Sequence, residues 1–202
     1  MKKTILNKTA DIFLKFGFKS VTMDDIAHEL GVSKKTLYKY FDNKEDLVNQ
    51  ALTNAHQKWV SDINNICGLG YNAIQENFAI NKYFRELLQH LDDSPIYQLK
   101  KYYPDVAERI LKDEYSAFLE CISNNMKKGI EEGLYQKNIE INIISKLYHL
   151  MVMGIHDNNT FIYRKNSIQK LEIEILKYHT RAIATKKGLK ELETQLAEIN
   201  NN

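Results

Sequence analysis

The segment VSKKTLYKYFDNKEDL, Val32 to Leu47, places four lysines (Lys34, Lys35, Lys39, Lys44) and three aromatic residues (Tyr38, Tyr40, Phe41) in sixteen positions. Ammonium and tyrosine hydroxyl groups neutralise and hydrogen-bond phosphate oxygens. The spacing separates two kinds of surface. Leu37 and Phe41, four apart, share one side of a helix, while Lys34, Lys35, Tyr38 and Lys39 point elsewhere. Basic and hydroxyl-bearing side chains at a helix start, here Lys34, Lys35 and Thr36, can reach base edges and phosphates when that helix enters a major groove. A solvated charged face beside a core aromatic explains the helix alone. It does not explain the pattern around it.

That pattern supplies the elements that must hold such a helix. Ile5, Thr9, Ile12, Phe13 and Phe16 recur at helical spacing and predict a first helix over Lys3–Phe16, stopped by Gly17. Thr22, followed by Asp24 and Asp25, reads as an N-cap with acids in the first turn of a second helix, which buries Ile26, Ala27 and Leu30. Gly31 allows a tight turn, Val32 and Leu37 fill the angle, and Ser33 caps a short third helix over Lys34–Phe41. Asn43 caps a fourth, predicted to run to about Ile66. A helix, a Gly-Val turn and a capped short helix are the parts of a helix-turn-helix whose second helix is the reader.

The stretch TMDDIAHELGVSKKTLYKYFDNKEDL, Thr22 to Leu47, resembles the DNA-binding domain of the TetR family of bacterial transcriptional regulators. The preceding ILNKTADIFLKFGFKSV is similar to that family's first helix. The resemblance implies that Thr22 touches a phosphate besides capping, and that Lys34, Lys35 and Thr36 face the major groove. It further implies that Tyr38 and Tyr40 bond the phosphate backbone and that Lys44 neutralises a phosphate at the start of the fourth helix. Ser33, as the cap, completes the expected DNA-binding set. Also implied are a homodimer on double-stranded DNA, a palindromic operator and a small-molecule effector that relieves repression.

The rest of the 202-residue chain is expected to serve that reader. Two prolines, eight glycines and no convincing strand pattern predict an all-α fold. The expected division is a DNA-binding domain over 1–47 and a larger helical effector-binding and dimerisation domain over 48–202. Further helices are predicted near 71–91, 95–101, 104–129, 139–158, 167–187 and 189–200. A formal net charge of +2 leaves any affinity for DNA to local charge placement. Leu147, Met151, Ile155, Leu171 and Ile175 are candidates for the dimer interface, the resemblance implying a four-helix bundle from the last two main helices of each subunit. The aromatic residues Trp59, Phe78, Tyr83, Tyr97, Tyr102, Tyr115 and Phe118 are candidates to line a pocket for a largely apolar effector. Leu189, Leu192, Leu196 and Ile199 form a narrow stripe in a C-terminal tail that packs on its own subunit or extends the dimer.

Other chemistries find less support. No nucleophile elbow, phosphate-binding loop or zinc-protease helix is present. His149 and His156, with Asp157, could contribute to a metal site in a helical enzyme, the alternative to a regulator, but their spacing needs a third element. No cofactor is expected. Cys67 and Cys121 fit no metal spacing and are expected to be separate thiols. No signal peptide is discernible, and the apolar stretch Leu147–Ile155 is too short to span a bilayer, so a cytoplasmic protein with no membrane partner is expected.

Overall fold

The computed structural model describes residues 1–88, 94–155 and 168–200. Among these the chain forms ten helices: α1 (Lys2–Phe16), α2 (Met23–Glu29), α3 (Lys34–Tyr38), α4 (Lys44–Cys67), α5 (Ala73–Leu88), α6 (Ser94–Tyr102), α7 (Pro104–Glu131), α8 (Ile141–Gly154), α9 (Ile168–Ile183) and α10 (Lys186–Asn200). The fold is all-α, its one β contact among the described residues being an isolated bridge between Tyr135 and Ala184.

Two compact units result. The first joins Met1–Asp62 to the segment ending at Glu114, and the second joins Ile63–Leu88 to Tyr115 and beyond. This differs from the expected boundary at 47/48, and the reason is apolar. Phe13, Phe18, Ile26, Leu37, Phe41, Leu47, Val48 and Ala51 are almost wholly buried, and Leu99, Val106, Ala107 and Ile110 from α6 and α7 share their cluster. Three short helices cannot enclose that much apolar surface alone. Each fully buried Leu, Ile or Phe side chain contributes about 1.5–3 kcal/mol relative to exposure.

The second unit is centred on Ile74, Met126, Tyr135, Leu176, Ile183 and Leu192. Leu192 is fully buried, so the C-terminal tail packs into its own unit. Helix α9 stops at Ile183 rather than continuing to 187, because Ala184 bridges to Tyr135 and the Thr185 hydroxyl accepts from the Gly188 amide at 3.2 Å to start α10. Gly188 therefore lies inside a helix and not at a break. A Cβ there would stand 2.1 Å from the Leu134 carbonyl oxygen, so only glycine permits the approach. The interior also holds polar groups. Asn125 Nδ2 donates to the Ala73 carbonyl and to Glu76 Oε1, both at 2.8 Å, and Lys128 Nζ meets Glu76 Oε2 at 2.6 Å. The expected helix end at 156–158 lies outside the described residues, as does the proposed ligand His156.

Candidate nucleic-acid interface

Helix α2 begins with a reciprocal cap. The Thr22 hydroxyl oxygen accepts from the Asp25 amide at 3.2 Å, and Asp25 Oδ2 accepts from the Thr22 amide at 2.8 Å and from its hydroxyl at 2.7 Å. These bonds hold the Asp25 carboxyl below its ordinary value. The turn closes through Gly31, at φ 65°, a backbone conformation that suits glycine. The Val32 amide then returns to the Ala27 carbonyl at 2.9 Å. Ser33 caps α3, its Oγ accepting from the Thr36 amide at 3.1 Å and lying 2.8 Å from Thr36 Oγ1.

Helix α3 is shorter than expected, ending at Tyr38 instead of Phe41. Leu37 is completely buried and pins it to the core, while Lys35, Tyr38 and Lys39 remain exposed. Lys34 is also exposed, but its Nζ pairs with Asp24 Oδ2 at 2.8 Å, and that carboxylate raises its pKa. Tyr40, beyond the helix, is half-buried, with its hydroxyl 3.7 Å from Met1 Sδ. Lys44 is drawn inward. Its Nζ donates to the carbonyls of Phe18 at 2.6 Å and Lys19 at 3.2 Å, and burial lowers its pKa. Its charge thereby ties the α1–α2 connection to the start of α4. One cation overlooked in the sequence lies here too: Lys2 Nζ sits 5.5 Å from the Phe41 ring centroid. The doubled lysine at the N-terminus was the available signal.

The expected effector residues are divided between the two units. Trp59 packs on the first core, and Tyr97 and Tyr102 are exposed on α6. In the second unit Phe78 is core, Tyr83 stacks edge-on against Phe84, and Tyr115 and Phe118 flank His149 with centroids 4.7 and 5.0 Å away. His149 is thus an aromatic packing partner, and no group of three metal-ligating side chains occurs among the described residues. A cleft of about 460 Å³ borders Asn72, Glu132, Leu134, Lys187, Lys190, Glu191 and Thr194, none of them expected lining residues. Of the expected dimer residues, Leu147 is exposed, Met151, Leu171 and Ile175 are half-buried, and Ile155 is buried within its own unit. Cys67 and Cys121 are free thiols, as expected, and lie in hydrogen-bonding contact, with burial pushing Cys121 up to about 12.

A helix-turn-helix with an exposed basic and hydroxyl-bearing third helix defines a DNA-binding regulator. Residues 5–51 match the family model for bacterial regulatory proteins of the tetR family. The HTH-type transcriptional regulator YfiR of Bacillus subtilis is 24% identical over 162 residues, covering 76% of this chain and 77% of its own. Among solved structures, SCO4454, a TetR-family transcriptional regulator from Streptomyces coelicolor, superposes with a TM-score of 0.72 at 16% identity, covering 91% of this chain and 96% of its own. The regulator FadR of B. subtilis, in complex with stearoyl-CoA, gives 0.64 at 18% identity, covering 89% and 98%. Residues 5–51 thus match the tetR-family DNA-binding region, and the chain as a whole shares the fold of solved TetR-family regulators. No helix among the described residues is long and apolar enough to cross a membrane.

Proposed function

We propose that the protein is a homodimeric repressor that reads a palindromic operator and releases it on binding a small-molecule effector. The observation that carries this reading is α3 itself: Leu37 buried beneath it, Lys35, Tyr38 and Lys39 free above it, and Ser33 fixing its start. Thr22, Ser33, Lys34, Lys35, Thr36, Tyr38 and Tyr40 form the proposed contact set. Lys44 supports it by positioning the α1–α2 connection. One such short helix binds weakly, and specificity comes from two copies about one helical turn, ~34 Å, or a multiple of it apart.

Helix α8 supports the dimer. Ile143, Leu147 and Leu150, spaced four and three apart, are 56%, 49% and 65% exposed on a helix whose Ser145 and Tyr148 are buried in its unit. An uncovered apolar stripe of this kind is suited to a second copy related by two-fold symmetry. Leu171 and Ile175 of α9 border the same proposed interface. The effector belongs to the second unit, with Phe78, Tyr83, Tyr115 and Phe118 as candidate contacts. FadR, which shares the fold, holds stearoyl-CoA, and a small molecule is the corresponding ligand class here. The buried His179 Nε2 has no hydrogen-bond partner among the described residues. That favours an effector with polar groups alongside apolar ones.

Selection of binding sites from random duplex DNA tests this reading. Enrichment of a palindrome with half-sites at major-groove spacing is the expected outcome. Failure to enrich any sequence with folded dimer at low salt would remove it.

A further inference from the structure

We propose that α6 and the α1–α2 connection form a second, sequence-independent contact with the phosphodiester backbone, on DNA flanking the half-site that α3 reads. This rests on the DNA-binding reading above. Lys100 and Lys101 close α6, whose sequence SPIYQLKKY contains no acid. Lys19 joins them from the α1–α2 connection. Lys19 Nζ lies 5.3 Å from the Tyr102 ring centroid, and Lys101 Nζ lies 5.6 Å from the same ring and 5.8 Å from that of Tyr97. Two ammonium groups gather around one ring, which offsets part of their mutual repulsion. Lys19, Lys100 and Lys101 make no ion pair among the described residues. Lys34, by contrast, already holds Asp24.

The cluster is fixed, and it adjoins the reading head. The Lys19 amide donates to Gln98 Oε1 at 3.0 Å, and the Lys19 carbonyl accepts from Lys44 Nζ at 3.2 Å. Lys19 stands three residues before Thr22. Three residues of chain span at most about 11 Å. A duplex strand carries one phosphate per ~3.4 Å of axis, so the Lys19 end of the cluster lies within about three base pairs of a phosphate met by Thr22. Tyr97, 65% exposed, and Tyr102, 37% exposed, add hydroxyl donors suited to phosphate oxygens. Charge complementarity and continuity with the α3 surface select duplex DNA as the occupant over an anionic membrane.

The test uses full-length protein and the selected operator in two lengths, one minimal and one extended by arbitrary sequence on each side. Wild type is expected to bind the extended duplex more tightly, whatever the added sequence. K100A/K101A is expected to match wild type on the minimal duplex and to lose that gain. Its plot of log affinity against log salt on the extended duplex should be shallower by about two. K19A should lose part of the gain with unchanged thermal unfolding. No gain in wild type, or an equal gain in K100A/K101A, would overturn the proposal while leaving operator reading intact. Equal weakening of K100A/K101A on both lengths would overturn it as well, because the lysines would then act on the reading head itself. Wild type that binds neither duplex would overturn both readings. Loss of binding to phosphatidylserine vesicles by K100A/K101A, with the flank effect retained, would reassign the cluster to a membrane surface.

Discussion

At the scale of single residues, Thr22 does two jobs that substitution can separate. Its hydroxyl caps α2, and the same group is the proposed phosphate contact. Thr22→Ala removes both. It should cost about 1 kcal/mol of stability and lower Tm by roughly 2–4 °C, as scanning calorimetry would report. Thr22→Ser keeps the cap and should recover most of each loss. The partner Asp25 sets a pH limit. Its carboxyl is depressed in the folded state, so its contribution is present above the ordinary carboxylate range and is lost as pH falls through the lowered value. Asp24 acts differently. It neutralises Lys34 on the surface proposed to meet DNA. Asp24→Asn removes a repelled carboxylate and frees the ammonium, so affinity should rise several-fold and the salt dependence should steepen. Fluorescence anisotropy over a salt series would show it, and unchanged affinity would take Lys34 out of the interface.

At the scale of elements, the helices were legible where a cap or a periodic apolar face announced them. Thr22, Ser33 and Asn43 marked the starts of α2, α3 and α4 because each side-chain oxygen satisfies an amide that the helix cannot. Ends were less legible. Phe41 has helical spacing from Leu37 and is buried beside it, yet α3 stops at Tyr38. Periodicity records which face is buried and not whether the backbone stays helical. Gly188 falls between the helices expected at 167–187 and 189–200, yet it lies inside α10. A glycine required by a close carbonyl looks, in sequence, like a glycine required by a turn. In α8 the helical pattern identified apolar residues but could not sort core from surface. Ile155 turned inward, while the exposed stripe includes Ile143 and Leu150. If that stripe is the dimer surface, Leu147→Glu combined with Leu150→Glu should give a folded monomer in sedimentation velocity. That monomer should bind a single half-site weakly.

For the whole molecule, the first unit was only partly foreseeable. Local caps define α2 and α3, but the return of α6 and the start of α7 to the same core is a long-range contact that no local pattern encodes. Aromatic richness was similarly ambiguous. Phe78 is core, whereas Tyr97 is surface, although both were plausible pocket residues. Burial in the second unit has a measurable signature. The His179 imidazole, stacked on Tyr148 at 3.9 Å, is held down to about 4 by desolvation. The unfolded chain takes up that proton near pH 6.5, so stability should fall as pH drops from there towards 4. His179→Gln should flatten this limb. The readout is the difference between the two proteins, because Glu114, raised to about 7 by burial, contributes stability that declines as pH rises from 4.5 to 7.

The interrupted path of the first unit also bears on how such a regulator can be rewired. Phe18 packs against Tyr103 with centroids 6.5 Å apart, and Leu99, Val106 and Ile110 complete the enclosure around it. A reading head cut out at residue 47 would leave these partners behind. Transplanting this specificity onto another sensor therefore means carrying two separate stretches of chain, or finding a recipient whose own α6 and α7 offer the same apolar lid.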